Sequence, residues 1–388
     1  MTLDSPDRRV PAAPDRSFAQ AATNVRVITV LELRQRIRST RWKWTALALF
    51  LLITAIVFGS LYLATLDDHT GGAYHAWTRE LLTVVLGAVL FIGMIGAPAI
   101  SAATINGDRR DATLAVVQAT PITGTQLALG KFLGAWIATL VFFLIASPYL
   151  IWGIATAASS VGFSILAIVV TALLLGSYCA IGLGWSSLST RPTASTMLTL
   201  ATVLLLLIGL PAAFGLALPS VEQEHTVVAA DRQWDRVKAD ADPEYQGDCV
   251  DREQRRKFTH TERIWWLLAP NPVLIVADTL AAGTPPTTYG WGLRFTDTSL
   301  ARYQSTSVPA HVAHEISSVR NGPEITAARC AAPYSPHGDD YLEKDRYAGH
   351  LWYLGLAFTL ILGLIGFAVA ARRLRIPAGK LPKGVRVA

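Results

Sequence analysis

The stretch ATPITGTQLALGKF, residues 119–132, carries two glycines and a lysine in an order that invites a nucleotide-binding reading. A Walker loop places four residues between its glycines and follows the lysine with a Ser or Thr whose hydroxyl holds magnesium. Here five residues separate Gly124 from Gly130, and Phe132 stands where the hydroxyl belongs. Such a loop should also leave a strand, whereas Thr120-Pro121-Ile122-Thr123 precedes Gly124 and a long apolar run follows Lys131. The stretch therefore reads as the start of a hydrophobic helix rather than as a phosphate cradle.

Working outward, 52% of the 388 residues are apolar and only 16% are charged, the balance of a membrane protein rather than of a soluble enzyme. Six apolar runs are long enough to cross a hydrocarbon core: Trp44 to Leu66, Leu81 to Thr104, Phe132 to Gly153, Phe163 to Leu188, Ser195 to Leu218 and Leu351 to Ala370. The polar segment 1–43 before the first run has no clear small-residue cleavage site, so an anchored span is expected there rather than a removable signal. The expected class is an all-α membrane protein with six spans.

Orientation follows from the basic residues. Arg34, Arg36, Arg38, Arg41 and Lys43 precede the first span, and Arg372, Arg373, Arg375, Lys380, Lys383 and Arg386 follow the last. Positive charge marks the cytoplasmic side, so both termini are expected inside, with residues 105–131 forming the longest inner loop. Asp67-Asp68 and the segment 219–347, which is net negative, then fall outside. The basic clusters hug membrane ends without interleaved aromatics on a folded domain, which speaks for membrane lipids and against nucleic acid as a partner.

In NVRVITVLELRQRIRSTRWKW, residues 24–44, the apolar positions fit one face of a helix but also a strand alternation. An amphipathic helix on the inner leaflet is favoured, with Arg38, Arg41 and Lys43 reaching headgroups while Trp42 and Trp44 enter the interface; Lys131 is expected to anchor in the same way. The loops ATAASSVG and STRPTAS make tight hairpins of spans three to five, and Gly176, Ala180 and Gly184 form a small-residue stripe suited to close helix packing.

Segment 219–347 is expected to be an extracytoplasmic domain, followed by span six and a basic tail, 348–388. Within it, residues 264–283 hold an apolar stretch too short and too Pro-interrupted to span, hence interfacial or re-entrant. Cys249 and Cys330 both fall in this domain, where a disulfide can persist, while Cys179 lies inside span four as a small apolar residue.

Span interiors are nearly devoid of ionisable groups, which disfavours an ion-coupled carrier, since those keep a titrating residue in the bilayer. No constellation in the chain suggests a metal or a resident cofactor.

The loop after span two carries Asp108-Arg109-Arg110-Asp111-Ala112-Thr113-Leu114, then Ala119-Thr120-Pro121-Ile122-Thr123, then Gly130-Lys131. In order and spacing it resembles the permease subunits of ATP-binding cassette exporters of the ABC type 2 class, whose loop typically reads E-R-E-x-G-T-L-E-x-L-L-x-T-P-(L/I)-(S/T) before G-K. It departs from that pattern at Arg110, Ala112 and Ala115. The resemblance extends to ELRQRIRSTRW, to the span count and to Asn271-Pro272 between spans five and six.

The resemblance implies a coupling helix formed by Asp108, Arg109, Arg110, Asp111, Thr113, Leu114, Thr120 and Pro121, docked on a separate ATPase subunit that holds ATP and magnesium. It also implies a second permease copy or paralogue, with a pathway between them lined by spans two and five. Phe91, Met94, Phe214 and Leu216 on those spans offer an apolar lining, so the expected cargo is hydrophobic or amphipathic. Usage of Arg over Lys and rich in Ala and Leu is compositionally that of a GC-rich bacterium, and the expected location is a bacterial cytoplasmic membrane.

Two other classes compete. Asp67-Asp68 resembles the acidic pair of membrane-embedded lipid-linked sugar transferases, where carboxylates serve as base or metal ligand. A sensor or assembly protein acting through its outer domain is the third.

Overall fold

A computed structural model describes residues 18–66, 68, 71–110, 122–234, 236, 248–284, 307–325 and 345–374. Six helices are long and apolar enough to cross a membrane: Trp42–Thr65, Ala73–Arg109, Gly124–Thr156, Val161–Leu188, Pro192–Val221 and Trp352–Arg373. They coincide with the six runs read from the sequence, so the membrane portion forms as its hydropathy dictates.

The elements run in order from α1 (Phe18–Ile37), α2 (Thr40–Thr65), α3 (Ala73–Ser101) and α4 (Thr104–Arg110) to α5 (Gly124–Thr156) and α6 (Val161–Leu188). Span five starts as α7 (Pro192–Leu204), widens into a π turn at Leu205–Gly209 and ends as α8 (Leu210–Ala217). Beyond it come strands β1 (Glu222–Gln233) and β2 (Asp248–Thr259), then α9 (Pro272–Ala281), α10 (Val308–Asn321) and α11 (Trp352–Arg373).

Helix α6 sits at the centre, with Leu174, Leu175, Tyr178 and Cys179 fully buried against α3, α5 and α11. Its small-residue stripe does what close packing requires. A Cβ at Gly184 would stand 2.8 Å from Gly366 Cα, one at Gly366 2.7 Å from the Ala180 carbonyl, and one at Gly176 2.9 Å from the Trp136 indole nitrogen. Only glycine allows the α6 and α11 backbones to approach so closely, which gains dispersion contacts where no hydrophobic effect is available between helices in lipid.

The π turn in span five has an identifiable cause. Pro211 has no N–H to donate, and the Leu210 N–H bonds back to the Leu205 carbonyl in the wider pattern. Pro211 is also the residue four on from Leu207 and offers its carbonyl no N–H; Asn271 Nδ2 donates to that carbonyl at 2.8 Å. The same Asn271 caps α9, its Oδ1 accepting from Val273 N at 3.0 Å and Leu274 N at 3.2 Å. Pro272 at the first helical position completes the start signal, because its missing N–H would have been unpaired there anyway.

The segment 264–283 follows the 3₁₀ turn Thr261–Arg263 and consists of a second one, Trp265–Leu267, leading into helix α9, which packs on α6, α11 and α10. Near its end Asp278, fully buried, accepts from the N–H groups of Gly349, Leu351 and Trp352, so it caps span six from outside that helix. Burial raises the Asp278 carboxyl above the usual range, opposed by those three N–H bonds and by the nearby His350.

The all-α expectation fails outside the spans. β1 and β2 pair antiparallel in unbroken register from Glu222↔Thr259 to Gln233↔Asp248, forming a two-stranded ribbon. Its strands carry charges on both faces, as in DREQRRKFT, so the alternation that normally betrays a strand is missing from the sequence.

Candidate functional site

The chemistry of the described chain concentrates where α1, α4 and the start of α5 meet. Thr123 and Gln126 form a reciprocal capping box, Thr123 Oγ1 accepting from Gln126 N and Gln126 Oε1 accepting from Thr123 N. This capping box is why α5 begins at Gly124. The Gly-Lys pair lies one to two turns further in, facing α1.

Gly130 and Gly134 let α1 lie directly on α5. A Cβ at Gly130 would stand 2.6 Å from Ile28 Cβ, and one at Gly134 2.7 Å from Glu32 Cβ. The contact is cross-bonded by Thr29 Oγ1 donating to the Gly130 carbonyl at 3.3 Å and Arg36 Nη1 donating to that of Gly134 at 3.0 Å.

Between these two contacts Lys131 is only 3% exposed. Its Nζ donates to Glu32 Oε1 at 2.7 Å and forms a second ion pair with Asp108. Arg36 pairs with the other Glu32 oxygen at 3.3 Å, so two cations face two carboxylates. An unpaired ammonium so buried would be strongly disfavoured, and the two carboxylates supply the compensation. Lys131 is therefore not the headgroup anchor expected of it: α1 covers it, and its charge is spent inside the protein.

Asp108 comes from α4, which is fixed from its other side. Asn106 Nδ2 donates to Ser189 Oγ and Ser195 Oγ, both at 3.1 Å, and Ser186 Oγ accepts from the N–H groups of Ile105 and Asn106. Ser195 Oγ in turn donates to the Ala102 carbonyl at 2.7 Å. The backbone leading into loop 111–121 is thus bonded to the hairpin between α6 and α7, and through Lys131 to α1 and α5. Displacing α4 would displace all of them together.

Of the residues expected to couple to a partner, Asp108 is half-buried in this network and Arg109 is exposed on α4. Asp111, Thr113, Leu114, Thr120 and Pro121 lie outside the described residues, as does the side chain of Arg110. Among the expected anchors, Arg38, Lys43 and Trp44 are exposed and Trp42 is half-buried, while the Arg41 side chain is not among those described. Glu32, Asn106 and the three serines were not singled out from sequence. Glu32 does leave a trace, being the lone acid among the bases of residues 24–44.

Other expectations separate. Phe91 and Leu216 are exposed and Phe214 is half-buried, but Met94 turns into the core between α3 and α6 and presents nothing to a pathway at the bundle surface. Asp68 accepts from Gly71 N and Ala73 N, both at 2.8 Å, which makes it a cap for the start of α3; Asp67 lies outside the described residues. Cys179 is free and buried, Cys249 lies at the start of β2, and Cys330 lies outside the described residues.

No curated protein gives a significant match to the chain. Residues 26–239 match the family described as ABC-2 family transporter protein, over more than half of the chain and across all of the α1–α4–α5 junction. Membership implies a transport subunit associated with an ATP-binding cassette ATPase rather than an enzyme in its own right. With its six apolar helices, this multi-pass membrane protein belongs to the ABC-2 transporter family as a permease.

Proposed function

We propose that the chain is the permease subunit of an exporter, with ATP and magnesium held by a separately encoded ATPase and the loop around residues 108–121 serving as the docking element. The observation that carries this reading is the buried Lys131 joint. A partner that pushes on the loop pushes on Asp108, and the ion pairs pass that displacement to α1 and α5 as rigid bodies. An ordinary surface loop has no need of such a joint.

In this reading both termini face the cytoplasm of a bacterial cell, and the ribbon, α9 and α10 lie outside, where a Cys249–Cys330 disulfide would survive. Two permease copies, identical or paralogous, enclose the pathway. The exposed Phe91 and Leu216 and the scarcity of charge in the spans favour a hydrophobic or amphipathic cargo. The enzyme reading loses support because both Asp68 oxygens are engaged by backbone N–H groups at the start of α3.

The test is co-purification from the native membrane through a C-terminal tag, comparing the intact chain with Thr113→Pro. A stoichiometric ATPase subunit that accompanies the first and is lost from the second supports the reading. Absence of any ATPase from the intact chain, under conditions that preserve other transporter complexes, overturns it.

A further inference from the structure

The β-ribbon carries a pair of histidines that transport does not account for. His225 projects from β1, and His260 follows β2 directly, its backbone N–H donating to the Val221 carbonyl at 3.0 Å so that it closes the base of the ribbon. The Nε2 atoms of the two rings face one another at 2.9 Å. On the far side of the His260 ring, Nδ1 stands 2.6 Å from Glu262 Oε1. The other Glu262 oxygen is buried without a hydrogen-bond partner, beside Gly322, where a Cβ would collide with it.

We infer that His225 and His260 form a binding site for a divalent transition-metal ion of the zinc type, oriented by Glu262. A carboxylate on Nδ1–H fixes the imidazole as the tautomer whose Nε2 lone pair is free, which is the usual support of a metal-ligating histidine. Without an ion, His225 Nε2–H can donate to His260 Nε2 across the 2.9 Å contact; with the His225 proton on Nδ1 instead, the two Nε2 lone pairs converge on one point, and a cation there satisfies both. Zinc–nitrogen bonds of about 2.0–2.1 Å in a tetrahedral arrangement put the nitrogens about 3.3 Å apart, so the pair opens by roughly 0.4 Å on binding.

Access and retention are both provided. His260 is buried and held, whereas His225 is half-buried and leaves the ion a path from solvent. Among the described residues no third ligating side chain stands with the pair, so water completes the coordination and the affinity is that of a two-imidazole clamp. The consequence is mechanical: the ion ties the base of the ribbon to the Thr261–Arg263 turn, whose Thr261 Oγ1 donates to the Val319 carbonyl of α10 at 2.7 Å.

The experiment is equilibrium competition for Zn²⁺ against a chromophoric chelator, on the full chain in detergent and carried on a tag without histidines. One Zn²⁺ per chain is expected. His225→Ala and His260→Gln should each weaken binding at least about tenfold and Glu262→Gln by about 10–100-fold, while X-ray absorption of the wild type shows two imidazole nitrogens. His225 is the more exposed of the pair, and an unchanged metal-free melting midpoint for His225→Ala shows that the variant is folded. No stoichiometric uptake by the wild type, or uptake by His225→Ala as tight as the wild type's, overturns the site.

Discussion

Asn271 reaches from the first turn of α9 to the backbone of span five, its Nδ2 standing 2.8 Å from the carbonyl of Leu207 within the π turn. One amide thus starts a helix with its oxygen and satisfies a widened turn with its nitrogen. Removing it should cost about 1 kcal/mol for the cap and about 1–3 kcal/mol for the stranded carbonyl. We expect Asn271→Ala to lower the thermal midpoint in detergent, followed by tryptophan fluorescence, with Asn271→Ser falling between the two because it can cap but cannot reach Leu207. Equal midpoints for Ser and Ala would show that the cap contributes nothing.

The Lys131 joint predicts a reversal that simple loss of packing would not produce. Lys131→Met leaves Glu32 and Asp108 partly buried without their common cation, at a cost of about 3–5 kcal/mol. Adding Glu32→Gln and Asp108→Asn removes the two carboxylates that faced Lys131, and most of the lost stability should return. A triple variant no more stable than Lys131→Met would mean that the network is held by shape rather than by charge.

The α6–α11 crossing should tolerate no side chain at Gly184. A Cβ there meets the Gly366 backbone, which cannot swing aside as a flexible side chain can, so Gly184→Leu must push two central helices apart. The expected cost is at least about 1–3 kcal/mol, the usual range for overpacking. Gly59, with nothing within 4 Å of its would-be Cβ, is the control. The idea fails if Gly184→Leu and Gly59→Leu melt together.

What could be read in advance and what could not divide along physical lines. The six spans are legible because hydropathy over about 20 residues is a local property, and the Gly176–Ala180–Gly184 stripe because its spacing alone marks a close-packing face. Lys131 misled because its sequence position, at the head of a span, is the usual place for a headgroup anchor. Its burial depends on Glu32, 99 positions away, and on the glycines that admit α1. Asn271 and His260 likewise draw their roles from partners 64 and 35 residues distant, which no local pattern reports. The ribbon escaped because neither of its faces is consistently apolar.

Asp278 makes the last prediction, because its sign runs against the common behaviour of carboxylates. Most native carboxylates have lowered pKa values, so their proteins lose stability on acidification. Burial raises Asp278 above its unfolded value of about 3.9 despite three N–H donors, so the folded chain binds a proton more readily than the unfolded one. Its contribution is then fully present below that unfolded value and declines as pH rises through the folded one. Asp278→Asn, which cannot titrate, should show no such slope. Measured from about pH 4 to pH 7 in the same detergent, the midpoint of the wild type should fall relative to the variant. A gap that instead widens in favour of the wild type would show that the N–H groups of Gly349, Leu351 and Trp352 outweigh the cost of burial.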